Sequence, residues 1–93
     1  MSMERTYCLR EGIQVRREKF GLLFYSYNGP RLYFVPSREL LEEDFFAGER
    51  TLGEVVESLH RRHQWPRPWI ADRLEQVLDG LEQRRLIFCR TMN

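Results

Sequence analysis

The stretch GLLFYSYNGPRLYFVP, residues 21–36, holds two β-prone runs, 22–27 and 31–35, separated by Asn28-Gly29. That dipeptide between apolar runs is one of the stronger short-range hairpin signals. Pro30 modifies the reading. A two-residue Asn-Gly loop would use the amide of residue 30 as a donor, and proline has none. A longer loop over residues 27–30, or one with a bulge, is therefore expected. In the second run Leu32 and Phe34 share one face, and Arg31, Tyr33 and Val35 share the other. The charge on Arg31 points the even-numbered pair inward. Aromatic residues fall on both parities of both runs, which is more than one buried face requires. The second run stops at Pro36 before a helix begins, so it has at most one strand neighbour from this part of the chain.

Upstream, residues 14–18 alternate loosely and read as a half-exposed strand, with an earlier start near residues 7–9 interrupted at Gly12. Residues 19–21 turn the chain into the hairpin. Downstream, Ser37 reads as an N-cap and Glu39 as a first-turn acid, with Leu40, Leu41 and Phe45 on one side of a helix over about 38–46. Thr51 and Glu54 have the spacing of a capping box, opening a helix over about 52–63. Pro68 is tolerated in a first turn, and Ile70, Leu74, Val77, Leu78 and Leu81 form the apolar stripe of a helix over about 68–85. Residues 86–88 close the chain as a short strand or cap. The expected strands are about 14–18, 21–27 and 31–36. The fold class is α+β, winged helix-turn-helix-like, with a three-stranded antiparallel sheet followed by three helices in one domain over 1–93.

The 93 residues are 42% hydrophobic, 13% aromatic and 31% charged, the composition of a folded chain, with a formal net charge of +1. No bulk attraction to nucleic acid or to an anionic membrane follows from that charge. No apolar run approaches the roughly 20 residues of a membrane-spanning helix, and the N-terminus lacks a signal pattern, so a cytoplasmic location is expected. Lys19 is the one lysine among 15 basic residues. Arginine suits bidentate carboxylate pairing, although genomic base composition produces the same bias. Cys8 and Cys89 stand alone near opposite ends and are read as free thiols.

Little catalytic chemistry is legible. His60 and His63 have no cysteine or carboxylate at a matching ligand spacing, and the negative end of a helix explains them. No glycine-rich phosphate loop or nucleophile elbow is present. No enzyme activity, cofactor or metal is expected. Three helices with a short sheet suggest a winged-helix DNA-binding regulator as the alternative, but Asp72, Glu75, Asp79 and Glu82 offset Arg73, Arg84 and Arg85 on the third helix. Peptide capture fits better: the outer edge of residues 31–35 carries one charge, and an incoming segment could add to it as a strand, the alternative being that Tyr33 and Val35 merely cover the outer sheet face against the N-terminal segment. Gly80, inside an otherwise good helix, extends the row Trp69, Arg73, Gln76/Val77 and Gly80 to Arg84. It suits close approach either of a bound peptide or of the protein's own sheet.

The run LREGIQVRREKFGLLFY, residues 9–25, and its continuation GPRLYFVPS, residues 29–37, resemble the peptide chaperones of the mycofactocin system. These belong to the PqqD-like recognition elements of ribosomally made, modified peptide pathways. The helical half matches mainly by pattern. The resemblance implies a non-catalytic protein that binds the leader of a precursor peptide and presents it to a radical S-adenosylmethionine maturase. That enzyme would hold the iron–sulfur clusters and act on the precursor's C-terminal Val-Tyr. It further implies that an acidic leader lies as an added strand between the third strand and third helix. On this chain those are Arg31, Leu32, Tyr33, Phe34 and Val35, facing Trp69, Arg73, Val77 and Arg84. The implied partners are the leader and the maturase, with no nucleic acid or membrane, and the chain itself is a monomer or weak homodimer.

Overall fold

Two short antiparallel sheets are joined through a chain of aromatic rings, and two helices cover them. A computed structural model describes residues 3–37 and 39–90. Strands β1 (Thr6–Leu9) and β5 (Ile87–Arg90) pair into one sheet, and β2 (Ile13–Glu18), β3 (Gly21–Ser26) and β4 (Leu32–Val35) form the other in the order β2-β3-β4. Helices α1 (Leu52–His63) and α2 (Arg67–Gln83) lie between β4 and β5 in the chain. The fold is α+β, with two sheets and two α-helices among the described residues.

The ring chain decides how the sheets sit. Phe24 on β3 meets Phe46 edge-on at 5.2 Å, Phe46 meets Phe45 at 5.3 Å, and Phe45 meets Tyr7 on β1 at 5.9 Å. The first two contacts are edge-to-face and the third is tilted by 36°; edge-to-face contacts add to the gain from burial. Leu52, Val55, Val56 and Leu59 of α1 and Ile70, Leu74, Leu78 and Leu81 of α2 complete the core at helical spacing.

Phe45 and Phe46 do not arise from the helix expected over 38–46. Its first residue, Arg38, lies outside the described residues. Glu39 takes a left-handed backbone with φ 67°, and Glu42 is extended, so an α-helix cannot run through them. A short 3-10 helix, Glu43–Phe46, stands in its place. Ser37 does not cap it: the side chain is buried, its Oγ has no hydrogen-bond partner among the described residues, and its carbonyl accepts from the amides of Leu40 and Leu41.

The other helix boundaries follow local chemistry. Thr51 and Glu54 form both bonds of the capping box, at 2.8 and 3.1 Å. The carbonyls of Met3 and Arg5 accept from the amides of Gly53 and Leu52, satisfying donors the first turn leaves open. At the end of α2 the amide of Leu86 reaches Leu81 O and that of Arg85 reaches Glu82 O, a Schellman motif. Arg85 supplies its left-handed residue at φ 59°, a position glycine usually fills.

Within the larger sheet the β3–β4 pairing ends at Tyr25↔Leu32, with one further bond from Ser26 N to Arg31 O, leaving residues 27–30 as the loop that Pro30 required. Gly21 is needed at the opposite end, because a Cβ there would lie 1.9 Å from the carbonyl oxygen of Val35. Cys8 and Cys89 are free and stand on adjacent strands, where the partners are Tyr7↔Cys89 and Cys8↔Phe88. Their side chains therefore point to opposite faces of the small sheet.

Candidate functional site

Strand β4 is an edge. It pairs with β3 and with no other strand among the described residues. Because Ser26 N bonds to Arg31 O, the hydrogen-bonded pairs alternate from there, and the backbones of Arg31, Tyr33 and Val35 face β3. The N–H and C=O groups of Leu32 and Phe34 face outward. The sheet's other edge, β2, carries Gln14, Arg16, Arg17 and Glu18, the charged composition that protects an edge from pairing. The sequence of β4 itself, Leu-Tyr-Phe-Val, has no charge.

The side chains of β4 are reversed from the sequence expectation. Val35 is 6% exposed and Tyr33 is half-buried against the core, whereas Leu32 is 67% exposed and Phe34 42%. Arg31 was the misleading residue. It shares parity with the inward pair, but it lies just outside the strand, and its guanidinium turns to the end of α2, where Nη2 donates to the carbonyl of Arg84. The Arg84 guanidinium in turn lies over the Tyr33 ring, 4.2 Å from its centroid. Arg31, Tyr33 and Arg84 thus form one clasp between the start of β4 and the end of α2.

Trp69 and Arg73 form a separate group on α2. The Arg73 guanidinium lies 5.1 Å from the Trp69 ring centroid, and Arg73 makes no ion pair among the described residues. Trp69 meets Trp65 at 5.4 Å, and Trp65 stacks on His63 at 4.0 Å. His60 Nδ1 is 2.7 Å from the carbonyl oxygen of Trp65, which fixes the loop between the helices. Trp69 and Arg84 are about 22 Å apart along the helix axis, so this group does not touch the clasp. Val77 lies between them and packs half-buried on the core. Around Gly80 there is open space: a Cβ there would meet only Arg84 Nη1, at 3.9 Å. The protein's own sheet does not require that glycine.

Leu32 and Phe34 join a surface that sequence reading left unassigned. Cross-strand pairing places Phe34 beside Leu23 and Leu32 beside Tyr25 on the outer sheet face. Arg16 lies 5.9 Å from the Tyr25 ring centroid, and a shallow depression of about 350 Å³ opens there beside Pro30 and Arg31. The aromatic residues on both parities were its sequence signal. A larger groove of about 840 Å³ runs between the N-terminal segment, α1 and the start of α2, and shares no residue with β4.

No family model matches this chain, and neither the curated proteins nor the solved structures contain a match to it.

Proposed function

We propose that this protein is a non-catalytic peptide chaperone that holds an extended segment as an added strand on the free edge of β4. The observation that carries the reading is the contrast between the two edges of one sheet: β2 is charged, whereas β4 is uncharged and leaves the polar backbone groups of Leu32 and Phe34 unpaired by any strand among the described residues. Backbone bonds would supply affinity, and alternate side chains of the segment would project to the two sheet faces. One set meets Val77, Gly80 and the guanidinium groups of Arg84 and Arg73, which favour acidic residues. The other set lies beside Leu32 and Phe34. The arrangement is winged-helix-like in this reading, with β3 and β4 as the wing.

The resemblance of residues 9–25 and 29–37 supports a specific ligand: the leader of a ribosomal precursor peptide, presented to a radical S-adenosylmethionine maturase in mycofactocin biosynthesis. A DNA-binding regulator is less well supported, because α2 exposes Asp72 and Asp79 beside Arg73. Calorimetric titration with the precursor encoded beside this protein tests the reading. Saturable heat is expected. No heat at high micromolar concentration, with the protein folded, would sink it.

A further inference from the structure

We infer that the free edge of β4 also pairs with β4 of a second copy of this chain, antiparallel about a twofold axis through Tyr33. The register follows from which backbone groups are free. With Tyr33 on the axis, Leu32 stands opposite Phe34 of the second copy, and Phe34 stands opposite its Leu32. Each such pair exchanges two bonds, so every outward N–H and C=O of Leu32 and Phe34 is used. A shift of the axis to Leu32 or to Phe34 sets a proline opposite one of these residues, and a carbonyl then loses its donor.

The sequence on either side marks the same centre. Pro30 and Pro36 are equally distant from Tyr33, and in this register each stands opposite the other. Neither has an N–H, so the ladder ends cleanly at both sides. Arg31, opposite Val35 of the second copy, is the one charged residue between the two prolines, and its guanidinium is turned to the end of α2, away from the ladder. On the outer face, the exposed Leu32 and Phe34 of one copy cover those of the other, beside Leu23 and Tyr25. This is the covering that the apolar face otherwise lacks.

Two features keep the pairing weak. The paired strand is only four residues long, so a weak dimer, with a dissociation constant on the order of 1 mM, is expected. Tyr33 also meets its counterpart across the axis, and each ring carries its own Arg84 guanidinium at 4.2 Å. The two cations repel, so added salt tightens the dimer. Salt has the opposite effect on an acidic peptide. Self-pairing and peptide capture use the same backbone groups and exclude one another; this competition rests on the proposed function, whereas self-pairing itself does not.

The test uses the full chain without peptide, with amide hydrogen exchange followed by NMR at about 20 µM and about 2 mM protein. The amides of Leu32 and Phe34 are expected to slow about twofold or more at the higher concentration. Those of Tyr33 and Val35, already bonded to β3, do not change. Sedimentation at the higher concentration shows a dimer fraction that grows with added sodium chloride. Equal exchange of both amides at the two concentrations, or a monomer throughout, overturns the inference. Phe34→Pro removes one outward N–H without touching a β3 bond, and it is expected to sediment as a monomer. Self-association of that variant at the parent's level also overturns the inference, and if the variant does not fold, exchange on the parent still decides. Peptide titration that fails while self-pairing persists would count against the chaperone reading alone.

Discussion

The guanidinium of Arg84 lies over the ring of Tyr33, 4.2 Å from its centroid, and joins the last turn of α2 to the edge strand β4. The Schellman motif holds Arg84 in place. Arg85 in the left-handed region turns the chain, Leu86 returns to Leu81, and Arg84 is left at the negative end of the helix with Nη1 donating to Gly80 O. Arg31 adds a bond to the Arg84 carbonyl from the strand side. A cation supplied by the helix thus borders the free backbone of the strand.

Arg84→Ala removes that cation while leaving its carbonyl for Arg31. An exposed cation–π contact contributes about 0.5–1 kcal/mol, so unfolding in urea should show a loss of that order. Affinity for an acidic leader should fall further, by about tenfold, because a charge-assisted bond is lost as well. Calorimetry and urea melts on the same preparation separate the two effects.

Arg73→Glu should weaken leader binding by at least about tenfold. Its thermal midpoint should change by less than about 2 °C, since Arg73 is exposed, lies over Trp69 and makes no ion pair among the described residues. A comparable loss of stability would show that Arg73 is structural.

Gly80→Ala should raise stability by about 0.5–1 kcal/mol, because alanine is the better helix former and nothing crowds the new methyl group. The same variant should bind leader less tightly, since the methyl group would occupy the space beside the added strand. Stability and affinity that move in opposite directions would identify Gly80 as a binding residue.

Arg85→Gly should stabilise the fold by about 1 kcal/mol, because glycine adopts the left-handed region without the Cβ penalty. Urea denaturation measures it.

Stability should also fall in alkali. Burial is the main cause that pushes the Tyr7 phenol well above its ordinary value, so the unfolded chain ionises first. This contribution is fully present below about pH 10 and is lost as the pH rises toward the folded value. Tyr7→Phe should flatten that decline in a series of melts between about pH 9 and pH 11.5.

The local signals that carried the sequence reading are those set by one or two residues. Thr51 with Glu54 started α1, the stripe through Ile70, Leu74, Leu78 and Leu81 marked α2, and Pro30 lengthened the hairpin loop. The failures depended on distant partners. Residues 38–46 carry helical spacing, yet Phe45 and Phe46 are committed to rings on β1 and β3, and the backbone turns at Glu39 to deliver them. The facing of β4 was misjudged because Arg31 counted as a surface marker, when its length lets it reach Arg84 from the strand's end. The sheet of β1 and β5 joins opposite ends of the chain, which no local pattern encodes. Of the expected binding residues, Arg31, Tyr33 and Arg84 meet directly, Trp69 and Arg73 form a second group, and Val35 is core.

The most direct test of strand addition is amide hydrogen exchange at residues 32–35 with and without a saturating precursor leader, at protein concentrations low enough to keep the chain monomeric. Protection should rise by about tenfold or more at Leu32 and Phe34 and stay level at Tyr33 and Val35. A leader that binds with measurable heat yet leaves Leu32 and Phe34 exchanging as before would contradict capture on this edge.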